Sequence, residues 1–160
     1  MKFNNTIQSL QKLGGSVVKE GRGILKKKKK TTSRNTLYNQ FDYLVTSGKD
    51  SVTLEFEFGN AEDYWQFVDE GVRGAGGHKG SGKMRGAGSP FKYSTKMPPR
   101  GVIDRWIVSK PLKAARSNGK FIARKSLAFL IQRAIYQRGL TRTQFFSRPF
   151  TQQLKNKQMQ

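Results

Sequence analysis

A strict alternation of apolar and polar side chains over residues 52–58 constrains this fold more than any other feature of the sequence. Glu55 and Glu57 fall on one side of an extended chain, and the apolar residues fall on the other: Val52, Leu54, Phe56 and Phe58. A second extended run lies at residues 41–46, and the polar residues 47–50 between the two runs are typical of a turn. We therefore predict an antiparallel hairpin over 41–58, with one face packed on helices and the other exposed and acidic.

Helical periodicity describes most of the remaining apolar residues. Residues 3–25 predict an amphipathic helix, but each glycine inside a helix costs about 1 kcal/mol, so we expect a break near Gly14 and Gly15 or dependence on a partner surface. Further helices are predicted over residues 61–70, 100–108 and 122–138. The apolar residues expected to face inward from the second of these are Val102, Ile103, Trp106 and Ile107. The predicted class is α+β: a small antiparallel sheet packed against helices, an extended N-terminal helix, a long glycine-rich loop and a loose C-terminal tail.

Composition shifts along the chain suggest three parts. Residues 1–34 predict a helical arm that ends in a basic run, residues 35–150 an α+β core, and residues 151–160 a polar tail. Within the core, residues 71–89 hold eight of the 17 glycines, and the loop is expected to extend as far as residue 99. Because glycine-rich polar sequence buries little apolar surface, we expect a mobile loop or an arm that orders on binding.

Charge is segregated along the chain. Residues 1–40 carry a net +9, residues 41–70 a net −7 and residues 71–160 a net +19, within a total of +21. Two interpretations stay open: a basic chain attracts phosphate backbones, or the acidic block of one copy meets the basic face of the next. The candidate interface acids are Glu55, Glu57, Glu62, Asp63, Asp69 and Glu70. The candidate contacts to phosphate or an acidic partner are Lys26, Lys27, Lys28, Lys29 and Lys30, and the candidate docking loop carries Arg73, Lys79, Lys83 and Arg85.

Most catalytic chemistry lacks the residues it needs. The chain has no Cys and a single histidine, His78, which excludes disulfides, thiolate zinc sites and a histidine-based triad or metal site. Residues 77–83 have the glycine and lysine spacing of a phosphate-binding loop, but Met84 stands where magnesium coordination needs Ser or Thr. We therefore expect no enzymatic activity and no catalytic, cofactor-binding or metal-ligating residues. No apolar run approaches the roughly 18–20 residues of a membrane span, so no membrane partner is expected.

The order of several weak motifs resembles the neck proteins of tailed bacteriophages, the head–tail joining or tail-completion class. These motifs cover roughly residues 35–150. In chain order they are residues 36–38 ahead of the hairpin, residues 63–74, the glycine loop, Ser89-Pro90-Phe91-Lys92-Tyr93, Met97-Pro98-Pro99 with the short helix of Trp106, residues 124–131, residues 135–139 and Phe145-Phe146.

This resemblance implies a small α+β structural subunit without enzymatic activity. Such subunits form a ring around the DNA channel in the neck of the virion, after assembly in the host cytoplasm. The implied partners are further copies of the chain and the portal, adaptor or tail proteins of the same virion, while contact with packaged DNA stays open. Residues 71–89 would dock on a neighbour, and residues 1–30 would clamp the portal or an adjacent ring.

Two alternatives come from other functional classes. The first is a nucleic-acid-binding protein that uses residues 26–30 and the basic C-terminal half. The second, and weakest, is a metal-dependent nuclease built on the acidic block, which would need several carboxylates to converge on one pocket.

Overall fold

The computed structural model describes residues 4–28, 37–76, 85–109, 116–117 and 120–158. Its elements confirm the predicted α+β class. The helices are α1 (Asn4–Lys27), α2 (Leu37–Gln40), α3 (Trp65–Glu70), α4 (Arg100–Ser109), α5 (Arg124–Arg138) and α6 (Ser147–Gln158), with a short 3-10 turn at Gly59–Ala61. The strands are β1 (Asp42–Ser47), β2 (Val52–Glu57), β3 (Val72–Arg73), β4 (Arg116–Ser117), β5 (Lys120–Phe121) and β6 (Gly139–Leu140), which pair antiparallel as β1–β2, β3–β6 and β4–β5.

The chain forms two units, which we call unit 1 and unit 2. Unit 1 combines Met1–Asp69 with Thr143–Gln160, and unit 2 is Glu70–Arg142. Unit 1 carries 14 Lys and Arg against eight acids, a net of +6, whereas unit 2 carries 17 against two, a net of +15. These boundaries differ from those expected after residues 34 and 150, because α1 and α6 share a core with the hairpin.

The predicted hairpin is present, and its faces are as expected. Tyr43 pairs with Phe56 and Val45 with Leu54 on the inner face, where Leu54, Phe56 and Tyr43 pack against the core of unit 1. Glu55 and Glu57 are exposed on the outer face. The alternation of side chains thus decides which face of the hairpin is buried.

An aromatic cluster fills the centre of unit 1. Phe41 is fully buried, and its ring stacks on Phe58 with centroids 5.2 Å apart and meets Phe145 edge-on at 5.4 Å. Phe146 stacks on Phe150 at 5.4 Å. Since such ring pairs each contribute about 0.5–1.5 kcal/mol beyond their buried area, this cluster is a large part of the unit's stability.

Helix α1 runs without interruption through its glycines, so of the two expected alternatives the structure agrees with a helix that packs on a partner surface and shows no break near Gly14 and Gly15. A Cβ atom on Gly14 would overlap the ring of Tyr43, and one on Gly21 would lie 2.6 Å from both Phe41 Cε1 and the Phe145 carbonyl oxygen. The glycines therefore lie where the helix meets the hairpin and the aromatic cluster, and the close packing compensates for their low helix propensity.

The C-terminal residues correct another expectation. The tail expected to be loose forms α6 from Ser147 to Gln158. Gln153 Nε2 donates to Glu20 Oε1 at 2.8 Å, and Lys157 Nζ donates to the Ser9 carbonyl oxygen at 2.8 Å, which ties α6 to α1. A polar sequence can form a stable helix here because the neighbouring helix supplies partners for its side chains.

Unit 2 is built on the packing of α4 against α5. Ile103, Ile107 and Ala128 form its buried core, flanked by apolar side chains of α5, and the helices predicted at 100–108 and 122–138 are confirmed. Val102 and Trp106 were expected to face inward but are 53% and 45% exposed. The narrow buried stripe of α4 explains the difference: Ile103 and Ile107, four residues apart, cover the contact with α5.

Two glycine substitutions in α1 test the role of close packing. We expect Gly21→Ala to lower the free energy of unfolding by about 1–3 kcal/mol, because its methyl group overlaps Phe41 and the Phe145 backbone. Gly23→Ala is the matched control: nothing lies within 4 Å of the new Cβ, so the gain in helix propensity should raise the free energy of unfolding by up to about 1 kcal/mol. Urea unfolding followed by circular dichroism measures both, and equal effects would contradict the packing argument.

Candidate interaction surfaces

The exposed face of the hairpin combines acids with one apolar side chain. Asp42 pairs directly with Glu57 and Leu44 with Glu55, and Leu44 is 49% exposed between the carboxylates. Directly opposed like charges destabilise a sheet by up to about 1 kcal/mol. Arg22 Nη2 lies 3.8 Å from Asp42 Oδ2 and partly offsets this repulsion. We call this set (Asp42, Leu44, Glu55 and Glu57) the outer hairpin face.

The remaining candidate interface acids do not all join that face. Glu62 and Asp63 are exposed in the turn that follows the 3-10 segment, and Glu70 is half-buried at the end of α3. The structure thus brings Glu55 and Glu57 together and leaves the exposed pair at 62–63 on a separate turn.

Asp69 is a correction to the sequence-based set, because it is 2% exposed and cannot belong to an exposed interface. Its Oδ1 accepts a hydrogen bond from the backbone N–H of Phe146 at 2.8 Å and lies 3.4 Å from the N–H of Ser147. Its own carbonyl oxygen accepts from the N–H of Thr143 at 3.1 Å and of Gln144 at 3.0 Å. Asp69 therefore caps the start of α6 from a position 77 residues earlier in the sequence than Phe146, which no local pattern could have indicated.

Backbone hydrogen bonds hold both limbs of the glycine-rich segment in the described parts of 71–89, where the sequence predicts a mobile loop or an arm that orders on binding. The N–H groups of Ala75 and Arg85 donate to the carbonyl oxygens of Tyr136 and Arg138, each at 2.8 Å. The Ser89 hydroxyl donates to the Gly71 carbonyl oxygen at 2.8 Å. Residues 77–84, with Lys79, Lys83 and the phosphate-loop spacing, lie outside the described residues.

Glycine is required in this segment by close backbone approach. Gly86 has φ +68°, and a Cβ there would lie 2.5 Å from the Val72 carbonyl oxygen. Gly71 has φ +71°, and a Cβ would lie 2.5 Å from the Leu140 carbonyl oxygen. The glycines thus allow both limbs to pack on the end of α5, while Arg73 and Arg85 keep exposed side chains.

A groove of about 470 Å³ runs along α1 beside the hairpin. Three cations line it, Lys19, Arg22 and Lys26, together with Tyr38, Tyr43, Asp42, Gly15, Val18 and Gly23. Only Lys26 was among the candidates from the sequence; spacing of three, four and seven residues along a helix was the signal that could have found the others. We call this feature the α1 groove.

The lysine run itself is described only in part. Lys26, Lys27 and Lys28 are exposed at the end of α1, where cations interact favourably with the negative pole of the helix dipole. Lys29 and Lys30 lie outside the described residues. The structure thus places one member of the run in the α1 groove and two on the exposed helix end.

Unit 2 exposes apolar side chains beside cations. Val102, Val108 and Leu130 are all at least half exposed, and Phe129 is 43% exposed. Lys125, Phe129 and Arg133 follow one another at intervals of four residues along α5, which places them in one row on the helix surface. Exposed apolar patches rimmed by charge are typical of protein interaction sites.

Two further searches concern the described residues only. No group of three or more Asp, Glu, His or Cys side chains in these ranges could hold a metal ion. None of the described helices is long and apolar enough to cross a membrane. Burial raises the pKa of Tyr93, whose ring centroid lies 6.1 Å from that of Tyr136.

Comparisons with known proteins add no identity: the chain matches no protein-family model, no curated protein and no solved structure. The resemblance to phage neck proteins therefore stays a prediction.

Substitution of Asp69 tests its structural role. We expect Asp69→Ala to lower the free energy of unfolding by about 1–3 kcal/mol, since it leaves the buried N–H of Phe146 without an acceptor. Asp69→Asn keeps an acceptor oxygen and should cost less. Asp63→Ala, at an exposed carboxylate, is the matched control and should change stability by less than about 0.5 kcal/mol. Similar losses for Asp63→Ala and Asp69→Ala would contradict the capping role.

Tyr93 gives a pH-dependent expectation. Because burial raises its pKa in the folded state, the neutral phenol is favoured there, and its contribution to stability is present below the ordinary tyrosine pKa of about 10 and is lost as pH rises through the folded value. We expect Tyr93→Phe to make the fall of Tm shallower as the pH rises above about 10. An unchanged slope for Tyr93→Phe would contradict the assignment.

Proposed function

We propose that this chain is a structural subunit of an oligomeric ring, in the neck of a tailed-bacteriophage virion, that joins the head or portal to the tail around the DNA channel. The observation that carries the proposal is a pair of unlike, complementary surfaces. The outer hairpin face is acidic around Leu44, and the exposed surface of α4 and α5 is basic around Val102 and Phe129. A ring needs such a heterologous pair, because each copy offers one surface to each neighbour.

The two surfaces match in chemistry as well as in sign. Glu55 and Glu57 flank the exposed Leu44 on the hairpin. On unit 2, Lys125 and Arg133 flank Phe129 in one row, and Arg105 is exposed three residues beyond Val102. Apolar contact at the centre with charge pairs at the rim is the usual anatomy of a specific interface.

The position in a phage neck rests on the order of sequence motifs over residues 35–150. In this proposal the subunit acts without catalysis, assembles in the host cytoplasm and ends in the virion. Its exposed cations at Arg73, Arg85 and the end of α1 are then the contacts for portal, adaptor or tail proteins of the same particle.

A charge-swap experiment tests the ring. We expect the reversal Glu55→Lys with Glu57→Lys to prevent assembly, because the hairpin of one copy then meets a surface of like charge. The reversal Lys125→Glu with Arg133→Glu should prevent it equally. All four changes in one chain should restore assembly, since both surfaces have then changed sign. Size-exclusion chromatography with light scattering and negative-stain electron microscopy measure the outcome.

The matched control is Asp50→Lys with Asp63→Lys, which makes the same net charge change at two exposed acids away from the outer hairpin face. It should assemble like the unaltered protein. A chain that stays monomeric at every concentration, alone and with portal and tail proteins, contradicts the proposed function. Assembly that survives the hairpin reversal removes the outer hairpin face from the interface.

A further inference from the structure

We propose that the α1 groove binds the phosphate backbone of a duplex nucleic acid, with Lys19, Arg22 and Lys26 as the contacts. This site lies on unit 1 and shares Asp42 with the outer hairpin face, but its cations are not part of the ring interface proposed above. Three observations support it: the spacing of the cations, the fixed position of Arg22, and the open floor provided by glycine.

The cations are spread over a length that can reach more than one phosphate. Lys19, Arg22 and Lys26 lie on one side of α1, and seven residues of helix span about 10 Å at about 1.5 Å per residue. Duplex DNA carries a charge about every 1.7 Å of its axis, counted over both strands, so several phosphates lie within such a length. Within the described part of the chain, neither Lys19 nor Lys26 forms a salt bridge or a hydrogen bond through its side chain. Both ammonium groups are thus available for an external anion.

Arg22 is held in place before any ligand binds. Its Nε and Nη2 donate to the Phe41 carbonyl oxygen at 3.2 and 2.9 Å, and its Nη2 lies 3.8 Å from Asp42 Oδ2. The guanidinium group has five N–H donors, so donors remain for a phosphate oxygen after these contacts. A fixed arginine loses less side-chain freedom on binding than a free one does.

Glycine and tyrosine complete the groove. A Cβ on Gly23 would have no atom within 4 Å, whereas a Cβ on Gly15 would lie 3.5 Å from the Tyr43 hydroxyl oxygen, so the groove is open at Gly23 and lined by Tyr43 at Gly15. The open space at Gly23 lets a sugar-phosphate chain approach the helix. The hydroxyls of Tyr38 and Tyr43 supply neutral donors of the kind that contact phosphate and sugar oxygens.

Charge decides between a nucleic acid and an acidic protein as the occupant. The chain carries a net +21, and its own acids are too few to neutralise it. Asp42 already lies in the groove, and the exposed acids of the outer hairpin face are assigned above to the ring interface. A regular row of phosphates fits the row of cations. Binding to it also releases the counterions condensed on the phosphates, and an acidic loop with two or three carboxylates releases far fewer counterions.

The experiment measures binding of a fluorescein-labelled DNA duplex of about 24 base pairs by anisotropy between about 50 and 400 mM KCl. We expect Lys19→Ala and Lys26→Ala each to reduce the slope of log K against log[KCl] by about 0.9, the value for one phosphate contact. Between 50 and 200 mM KCl, such a change alters the loss of affinity by about 3.5-fold per contact. Lys49→Ala removes an exposed lysine of the hairpin turn that does not line the groove, and it should leave the slope unchanged.

A second variant blocks the groove without removing a cation. Gly23→Glu places a carboxylate at an open position, so it should weaken DNA binding at least tenfold while circular dichroism shows a folded helix. Gln152→Glu is its control: it makes the same net charge change at an exposed position of α6 outside the groove, and it should bind like the unaltered protein.

Other outcomes overturn the assignment. An equal slope change for Lys49→Ala and Lys26→Ala means that DNA senses only the total charge of the chain and not the groove. Binding of a poly-glutamate peptide that Gly23→Glu weakens, with DNA binding unaffected by the same variant, assigns the groove to an acidic protein. Either result leaves the ring proposal untouched, because assembly is measured separately by light scattering.

Discussion

The close approach of α1 to the hairpin and the aromatic cluster is the contact on which the rest of unit 1 depends. At Gly14 and Gly21 the helix meets Tyr43 and Phe41 with no side chain between them. The short distance between α1 and these two rings allows Phe41 to be fully buried. It also lets the Phe41 carbonyl oxygen accept two hydrogen bonds from Arg22. The burial of the inner hairpin face then forces Glu55 and Glu57 outward, because side chains alternate along a strand. The packing of one helix thus determines which charges the protein presents on this surface.

Local patterns predicted the elements whose periodicity is strong. The hairpin over 41–58 and the helix at 122–138 could be predicted because alternation and the spacing of apolar residues repeat several times in each. Helix α6 could not, since its sequence is polar and its stability comes from contacts to Glu20 and Ser9, far away in the chain. The role of Asp69 could not be predicted for the same reason. Its carboxylate accepts a hydrogen bond from the backbone N–H of Phe146, which lies 77 residues later in the chain. Contacts of this range have no signature in a single sequence.

The candidate site likewise has one part that the sequence predicted and one part that it did not. The sequence predicted an exposed acidic strand, and Glu55 and Glu57 form one, because exposure alternates with the apolar pattern. It did not predict that Lys19, Arg22 and Lys26 would line one groove, because the opposite wall comes from Tyr38, Asp42 and Tyr43 of other elements. For a related reason, the sequence could not decide between a helix broken at its glycines and one that packs on a partner surface. The outcome depends on the aromatic ring of Tyr43, which packs against Gly14 and belongs to a different segment.

The two proposals are physically linked through the net charge. Copies that each carry +21 repel one another, and the acidic outer hairpin face has too few charges to offset that repulsion around a closed ring. A polyanion in the α1 groove lowers the charge of each copy where it is bound, so the cost of bringing neighbours together falls. By linkage, a ligand that binds the assembled form better than the free subunit must favour assembly, and assembly must tighten the binding of that ligand by the same factor. Under both proposals, the excess charge of each subunit therefore makes assembly depend on the nucleic acid. Repulsion between copies opposes assembly when the polyanion is absent, and the bound polyanion neutralises the charge and permits assembly.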